Sequence, residues 1–202
     1  MITSPLLLIA LTVTWAALTF SLWRSRRWLV FYLTGAFGFV LLVISFLRTL
    51  GIDAAIEAIE VRQVVAMANA LGIGVGALGS TGIGIPNHTG WAVFDVGIEC
   101  SGLLELLAFV GLVWFYPAFS AARKTSTLLI GAVATWIINL FRILLIVAII
   151  NSMGTSWVFA AHAVFGRVFF FVATVALYWY LVTRPTISIV GARLEPVEVA
   201  DE

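Results

Sequence analysis

Long apolar runs separated by short polar segments dominate this chain. A helix needs about 20 apolar residues, at a rise of ~1.5 Å each, to cross the ~30 Å hydrocarbon core of a bilayer. Five segments of this kind are present: Pro5–Trp23, Trp28–Leu47, about Ser101–Phe119, about Thr127–Ile150 and about His162–Val182. The pattern predicts an all-α polytopic membrane protein with a bundle of about five transmembrane helices. The first segment lacks the basic start of a cleaved signal peptide, so we interpret it as a retained span.

Basic residues in the short loops predict the orientation. They form three clusters, one after the first span, one after the third and one after the fifth: Arg24, Arg26 and Arg27; Arg123 and Lys124; Arg184 and Arg193. Five alternating spans place all three clusters on one side, which the positive-inside rule identifies as the cytoplasm. The N-terminus and the loops 48–99 and 151–161 then lie outside, and the C-terminus is cytoplasmic. We therefore expect a multi-pass protein of the cell (plasma or inner) membrane.

One further apolar segment, Val64–Ile85, is an alternative sixth span. It carries six glycines, each of which disfavours a helix by ~1 kcal/mol, and a span here would move the second basic cluster outside. We favour instead an extracytoplasmic amphipathic or re-entrant helix over about 54–72. Two short strands, about 76–85 and 91–98, then form a β-hairpin around the turn Pro86–Gly90. Residues 1–202 are predicted to be a single domain, with 185–202 a mobile cytoplasmic tail.

Composition narrows the function classes. Hydrophobic residues make up 62% of the chain and charged residues only 10%, which excludes a soluble enzyme, a coiled coil and a disordered chain. The net charge of +1, without a basic stripe, argues against nucleic-acid binding. A single cysteine and two histidines argue against an intramolecular disulfide or a zinc site. No cofactor and no metal are expected.

Three charged residues remain inside the predicted spans: Glu105, Arg142 and Arg167. A charge at mid-span costs at least ~2.5–3.5 kcal/mol and marks a functional hypothesis. Cys100 and His162 stand at the outer starts of spans three and five. Counting helical rise from the span ends places all five in the outer leaflet or at its rim, ~13 Å deep at most. Three helices thus bring a thiol, a guanidinium and an imidazole to one level of the membrane.

Each of these residues has a simpler interpretation beside the functional one. Cys100 is either a small buried hydrophobe or a nucleophile whose pKa is lowered at a helix start, with Ser101 as the cap. Arg142 shares a helix face with Asn139. It is either a structural partner of Glu105 or a substrate-facing cation, and the two roles are compatible.

The remaining polar residues are less distinctive. His162 is either an interfacial histidine or a functional one, and Arg167 is either a second functional cation or a residue that snorkels to the surface. Asp95 and Glu99 are expected to be solvated residues at the rim, and His88 is expected to be solvated in its turn.

Three short motifs, taken in order, resemble the exosortase/archaeosortase family of polytopic membrane cysteine transpeptidases. They are ECSGL at 99–103, NLFRI at 139–143 and HAVFGR at 162–167, and the resemblance covers roughly residues 30–182. By position, it implies that Cys100 is the nucleophile, Arg142 the essential arginine and His162 the third catalytic residue. Some archaeal members place an arginine in the third role, which leaves Arg167 as a candidate. Three further residues in or near the motifs are possible supporting residues: Glu99, Glu105 and Asn139.

The resemblance also implies a reaction. Such enzymes cut the C-terminal sorting signal of secreted proteins, which consists of a short motif, a transmembrane helix and a basic tail. A thioester acyl-enzyme would be resolved by an amine acceptor on a lipid or glycan, whereas water as the resolving group would make the protein a plain protease. The alternative is a catalytically inactive assembly or transport factor with the same fold.

Overall fold

A computed structural model describes residues 5–117 and 119–187. Within them, four helices are long and apolar enough to cross a membrane, so the prediction of an all-α polytopic membrane protein is confirmed. The helices are α1 (Pro5–Arg24), α2 (Trp28–Leu50), α3 (Ile52–Ala70), α4 (Leu103–Phe115), α5 (Ala121–Met153) and α6 (Thr155–Ile187). Most of the predicted C-terminal tail, from residue 188 onward, lies outside the described residues.

The predicted third span is shorter in the structure than in the sequence analysis. Helix α4 has 13 residues and a length of ~20 Å, less than the hydrocarbon core. It begins after Gly102, which has a φ of +65°, and it ends where Tyr116 turns to extended backbone, one residue before Pro117. These local breaks stop the helix although the apolar run continues. Besides α3, the described residues therefore contain four helices of spanning length and one shorter apolar helix, α4.

The segment between α2 and α4 forms a helix and a three-stranded sheet. The strands are β1 (Gly76–Leu78), β2 (Gly82–Asn87) and β3 (Gly90–Asp95), antiparallel in the order β1-β2-β3. The sequence analysis predicted two strands, and it missed the turn at 79–81 that divides the first of them. The segment Val64–Ile85 does not form a transmembrane helix: its first part ends α3 and its last part enters the sheet.

The main hydrophobic core lies between this sheet, α3 and the second half of α5. Its fully buried members come from all of these elements: Val61 and Val64 from α3, Ile83 and Ile85 from β2, and Ile143, Ile146, Val147 and Ile150 from α5. Cys100 belongs to the same cluster. At the edge of this core, Asn151 Nδ2 donates a hydrogen bond to the Pro86 carbonyl at 2.6 Å. The sheet is therefore fastened to the end of α5.

Candidate active site

Cys100 lies in a tight turn between β3 and α4. Its backbone N–H and that of Ser101 both donate to the Gly97 carbonyl, at 2.7 and 3.0 Å. The Ser101 hydroxyl donates to the Ile98 carbonyl at 3.1 Å and accepts the N–H of Leu103 at 3.4 Å. The N-cap of α4 is Gly102, so Ser101 is not the cap that the sequence analysis expected, although its hydroxyl contacts the first N–H of the helix. The turn holds the cysteine 2% exposed, with its thiol free.

Gly102 allows this turn to approach α5. Its φ of +65° is in the left-handed region, which residues with a Cβ adopt only at a cost. A Cβ at this position would lie 2.9 Å from Cγ of Asn139. The turn that carries the cysteine therefore packs directly on the face of α5 that carries the arginine motif.

His162 lies next to the cysteine. Its Nδ1 is 3.8 Å from Sγ of Cys100, within hydrogen-bond range for sulfur. The histidine occupies a π-helical turn of α6, Ala161–Gly166, and π turns within α-helices often occur at functional sites. The ring centroids of His162 and Phe94 of β3 are 5.6 Å apart, so the imidazole contacts the sheet as well as the cysteine.

Arg142 lies in the same buried region. It is 3% exposed, its Nη2 donates to the Glu99 carbonyl at 3.5 Å, and its guanidinium carbon is 5.0 Å from the ring centroid of Phe170. Its Nε and Nη1 are buried and have no hydrogen-bond partner among the described residues. A buried donor without an acceptor costs free energy, so this guanidinium is well suited to bind an oxygen atom of an incoming molecule.

The ion pair between Arg142 and Glu105, one of the two alternatives for this arginine, is not formed. In the described part of the chain, the one salt bridge joins Arg48 and Asp53, at 3.6 Å. Oε2 of Glu105 is buried and has no hydrogen-bond partner within residues 5–117 and 119–187. Contact with the Glu99 carbonyl and with the Phe170 ring, rather than a carboxylate, therefore holds the arginine.

Glu60 is a buried acid that the sequence analysis missed. It is 0% exposed, and its Oε1 accepts a hydrogen bond from Nδ2 of Asn139 at 3.1 Å, while its Oε2 has no partner in the described residues. Burial raises its pKa to about 8, although Asn139 and Arg142 act in the opposite direction. One signal could have identified it: Glu60 precedes the buried Val64 of α3 by four residues, so both lie on one helix face.

The electrostatic environment of Cys100 differs from the expectation. Burial raises the pKa of its thiol to about 11; Glu60 and Glu105 add to the increase, and Arg142 opposes it. Of the two alternatives in the sequence analysis, the functional one expected a lowered pKa at a helix start, and the other a small buried hydrophobe. The cysteine instead lies in the core beneath the sheet, where desolvation outweighs the nearby cation. In the resting protein the thiol is therefore neutral.

The remaining candidates lie at the periphery. The side chains of Asp95, Glu99 and His88 are exposed, as expected for solvated positions. Arg167 is also exposed, on the surface of α6 just after the π turn. The structure thus brings together one thiol, one imidazole and one guanidinium from three parts of the chain. The buried carboxyl of Glu60 and the amide of Asn139 lie in the same region.

Comparison with known proteins gives one finding. The model of a family described as transmembrane exosortase matches residues 1–179 of the 202-residue chain. No curated protein and no solved structure matches. The matched range includes all of the residues that form the candidate site.

Proposed function

Because this chain belongs to the transmembrane exosortase family, we propose that it is an integral-membrane cysteine transpeptidase that cleaves the C-terminal sorting signal of secreted proteins. The observation that carries the proposal is the 3.8 Å contact between the thiol of Cys100 and the imidazole of His162, beside a buried guanidinium with unpaired donors. A nucleophile in contact with a base is the arrangement that covalent catalysis requires.

The proposed substrate is a secreted protein that ends in a short motif, a transmembrane helix and a basic tail. Its helix would enter from the lipid, and its scissile peptide would reach the site at the outer face of the membrane. This orientation, with the N-terminus of the enzyme outside and its C-terminus inside, follows from the basic loops. The substrate's basic tail would then remain on the cytoplasmic side.

In the first half-reaction, the proton of Cys100 moves from Sγ to Nδ1 of His162, and the thiolate attacks the scissile carbonyl carbon. The unpaired N–H groups of Arg142 donate to the oxyanion that develops, an interaction typically worth ~3–4 kcal/mol per donor. The peptide C–N bond then breaks, and the leaving amine takes the proton from His162. The product is a thioester on Cys100.

In the second half-reaction, an amine acceptor attacks the thioester carbonyl. It transfers its proton to His162, which returns it to the departing sulfur, so that the neutral thiol is restored. An acceptor amine on a lipid or glycan would give transpeptidation, and water in its place would give hydrolysis.

The second candidate is an assembly or transport factor of the same fold without activity. The observation that favours it is the environment of Cys100: a thiol that is 2% exposed with a pKa of about 11 resembles a structural cysteine. Trapping the acyl-enzyme separates the two functions, because only an active enzyme accumulates a thioester.

The test uses co-expression with a reporter whose C-terminus carries the motif, helix and basic tail of a secreted protein from the same genome. We expect Cys100→Ala to abolish shortening of the reporter, and Cys100→Ser to be nearly as defective because a hydroxyl is far less acidic than a thiol. Wild-type protein should yield a hydroxylamine-sensitive adduct at Cys100. Normal shortening in the Cys100→Ala variant would disprove the assignment of the nucleophile.

Arginine substitutions test the oxyanion role. Arg142→Lys should reduce shortening at least ~100-fold, because lysine lacks the planar set of donors. Arg123→Lys is the matched control: it changes an arginine of the same helix that stacks on Phe119, at 4.9 Å, and it should process the reporter normally. Full activity of Arg142→Lys would instead indicate a purely structural residue.

A further inference from the structure

Strand β3 has an open edge. The sheet order is β1-β2-β3, so β3 pairs with β2 on one side, and no described residue pairs with its other side. An unpaired strand edge presents a row of backbone donors and acceptors that can bind another extended chain.

The register identifies the groups that face this edge. In an antiparallel pair, residues alternate between those that bond to the partner strand and those that point away from it. The N–H of Val96 donates to the Thr81 carbonyl at 2.8 Å, so the even-numbered residues of β3 bond to β2. The N–H and C=O groups of Trp91, Val93 and Asp95 therefore point to the open edge.

The open edge is continuous with the candidate active site. Phe94 of β3 contacts the ring of His162, whose Nδ1 contacts Cys100, and the chain itself runs from Asp95 to Cys100 in five residues. A peptide on this edge would thus end beside the nucleophile. The side chains flanking the edge are exposed, Trp91 by 67% and Val93 by 65%, so they do not block it.

We propose that the segment of the substrate that precedes the scissile bond binds as an added strand on the open edge of β3, pairing with the backbone of Trp91, Val93 and Asp95. This inference rests on the proposed function, because it names the docking mode of that substrate. The segment runs toward Cys100, as β3 does, and so lies parallel to β3. Backbone pairing supplies affinity, and exposed side chains such as Trp91 and Val93 select the motif.

Proline substitution tests the backbone pairing. Val93→Pro removes an N–H that faces the open edge and leaves the β2 ladder intact, because proline is tolerated at such edge positions. We expect kcat/KM for the reporter to fall at least about fivefold, which corresponds to the loss of one hydrogen bond. The proline ring would also obstruct the added strand.

The opposite edge of the sheet provides a matched control. Ala77 of β1 pairs with Ile83, a residue whose backbone bonds to β3, so the N–H of Ala77 also points away from the sheet. Ala77→Pro should keep processing within twofold of wild type. Equal processing by Val93→Pro and Ala77→Pro, with both variants folded by thermal unfolding, would overturn the proposal.

Crosslinking tests the strand geometry without requiring catalysis. In the Cys100→Ala background, Val93→Cys is paired with single cysteines placed at each of the six reporter residues before the cut, and a short bifunctional thiol reagent is added. Strand pairing predicts crosslinks at every second reporter residue, and Trp91→Cys should move the strongest crosslink two residues farther from the cut. A uniform pattern, a period of three to four, or no crosslink at any of the six reporter positions would overturn the proposal.

The two tests separate this proposal from the proposed function. A wild-type protein that cuts the reporter normally, together with no alternating crosslinks, would overturn the strand docking and leave the reaction in place. Alternating crosslinks without any cutting would support the docking and overturn the reaction.

Discussion

The alkylation rate of Cys100 as a function of pH is the most direct probe of the site. The cysteine is buried, and its thiol has a pKa of about 11 instead of the ordinary 9.0. Because the thiolate is the reactive form, the resting protein should react slowly with a neutral alkylating reagent. An exposed cysteine at a helix start would instead be expected to react faster than an ordinary thiol.

The expected magnitude follows from the two pKa values. At pH 7, a two-unit increase lowers the thiolate fraction ~100-fold. A more basic thiolate is intrinsically more nucleophilic, and a Brønsted slope of ~0.4–0.5 returns ~6–10-fold. The net rate should therefore be at least ~10-fold below that of an ordinary thiol, and steric shielding of the buried sulfur lowers it further.

The assay takes advantage of the single cysteine of the chain. Wild-type protein in nanodiscs is treated with iodoacetamide between pH 7 and 10, and the alkylated fraction is followed by mass spectrometry. The reference is the double variant Cys100→Ala/Ser80→Cys, which moves the thiol to an exposed turn between β1 and β2. The rate for Cys100 should still increase ~10-fold per pH unit near pH 10, where the reference levels off.

A specific result would refute this reasoning. If Cys100 reacts at pH 7 as fast as the cysteine at position 80, and its rate levels off below pH 9, then desolvation does not control the thiol. The nearby arginine and the helix start would then control the pKa of the thiol, and the protein would hold a preformed thiolate.

Three further predictions concern the support of the site. The pKa of Glu60 is raised to about 8, so its protonation stabilises the folded state fully below pH ~4.5, and this stabilisation is lost as the pH rises toward 8. Glu60→Gln should therefore increase the free energy of unfolding by ~3–4 kcal/mol more at pH 8 than at pH 5. Thermal unfolding at the two pH values measures this, and an equal change in Tm at both would contradict it. Gly102→Ala should reduce reporter processing at least ~10-fold, because it adds ~1–2 kcal/mol of backbone strain and a contact at 2.9 Å with Asn139; wild-type activity would contradict the close packing. Asn151→Ala should remove its bond to Pro86, at a cost of ~1 kcal/mol, and increase amide exchange in the hairpin; unchanged exchange would show that the core alone holds the sheet.

Several features of the protein could be predicted from its sequence because they depend on composition over long runs. Bilayer thickness sets the length of a span, and lipid offers no partner to backbone polar groups, so apolar runs of this length become helices. A charge within such a run is costly, so Arg142 could be singled out from one sequence. The position of the motif around Cys100 predicted the same level of the membrane, the outer leaflet or its rim.

Other features depend on local breaks that hydropathy does not register. Helix α4 ends near Pro117 although the chain remains apolar, and the turn at 79–81 divides a predicted strand into β1 and β2. Both errors arose because the position of a glycine or proline, rather than mean hydropathy, decided where an element ends.

The chemistry at the site was decided only by the tertiary structure. Glu60 and Asn139 are 79 residues apart in the chain, yet they share a buried hydrogen bond. The same packing buries Cys100 beneath the sheet and raises its pKa. It also leaves Arg142 without the ion pair to Glu105 that the sequence allowed as an alternative. Apolar runs determine which segments enter the membrane, because each span exchanges water for lipid largely on its own. Protonation and pairing depend on which distant side chains exclude water from a group, and that is a property of the assembled fold.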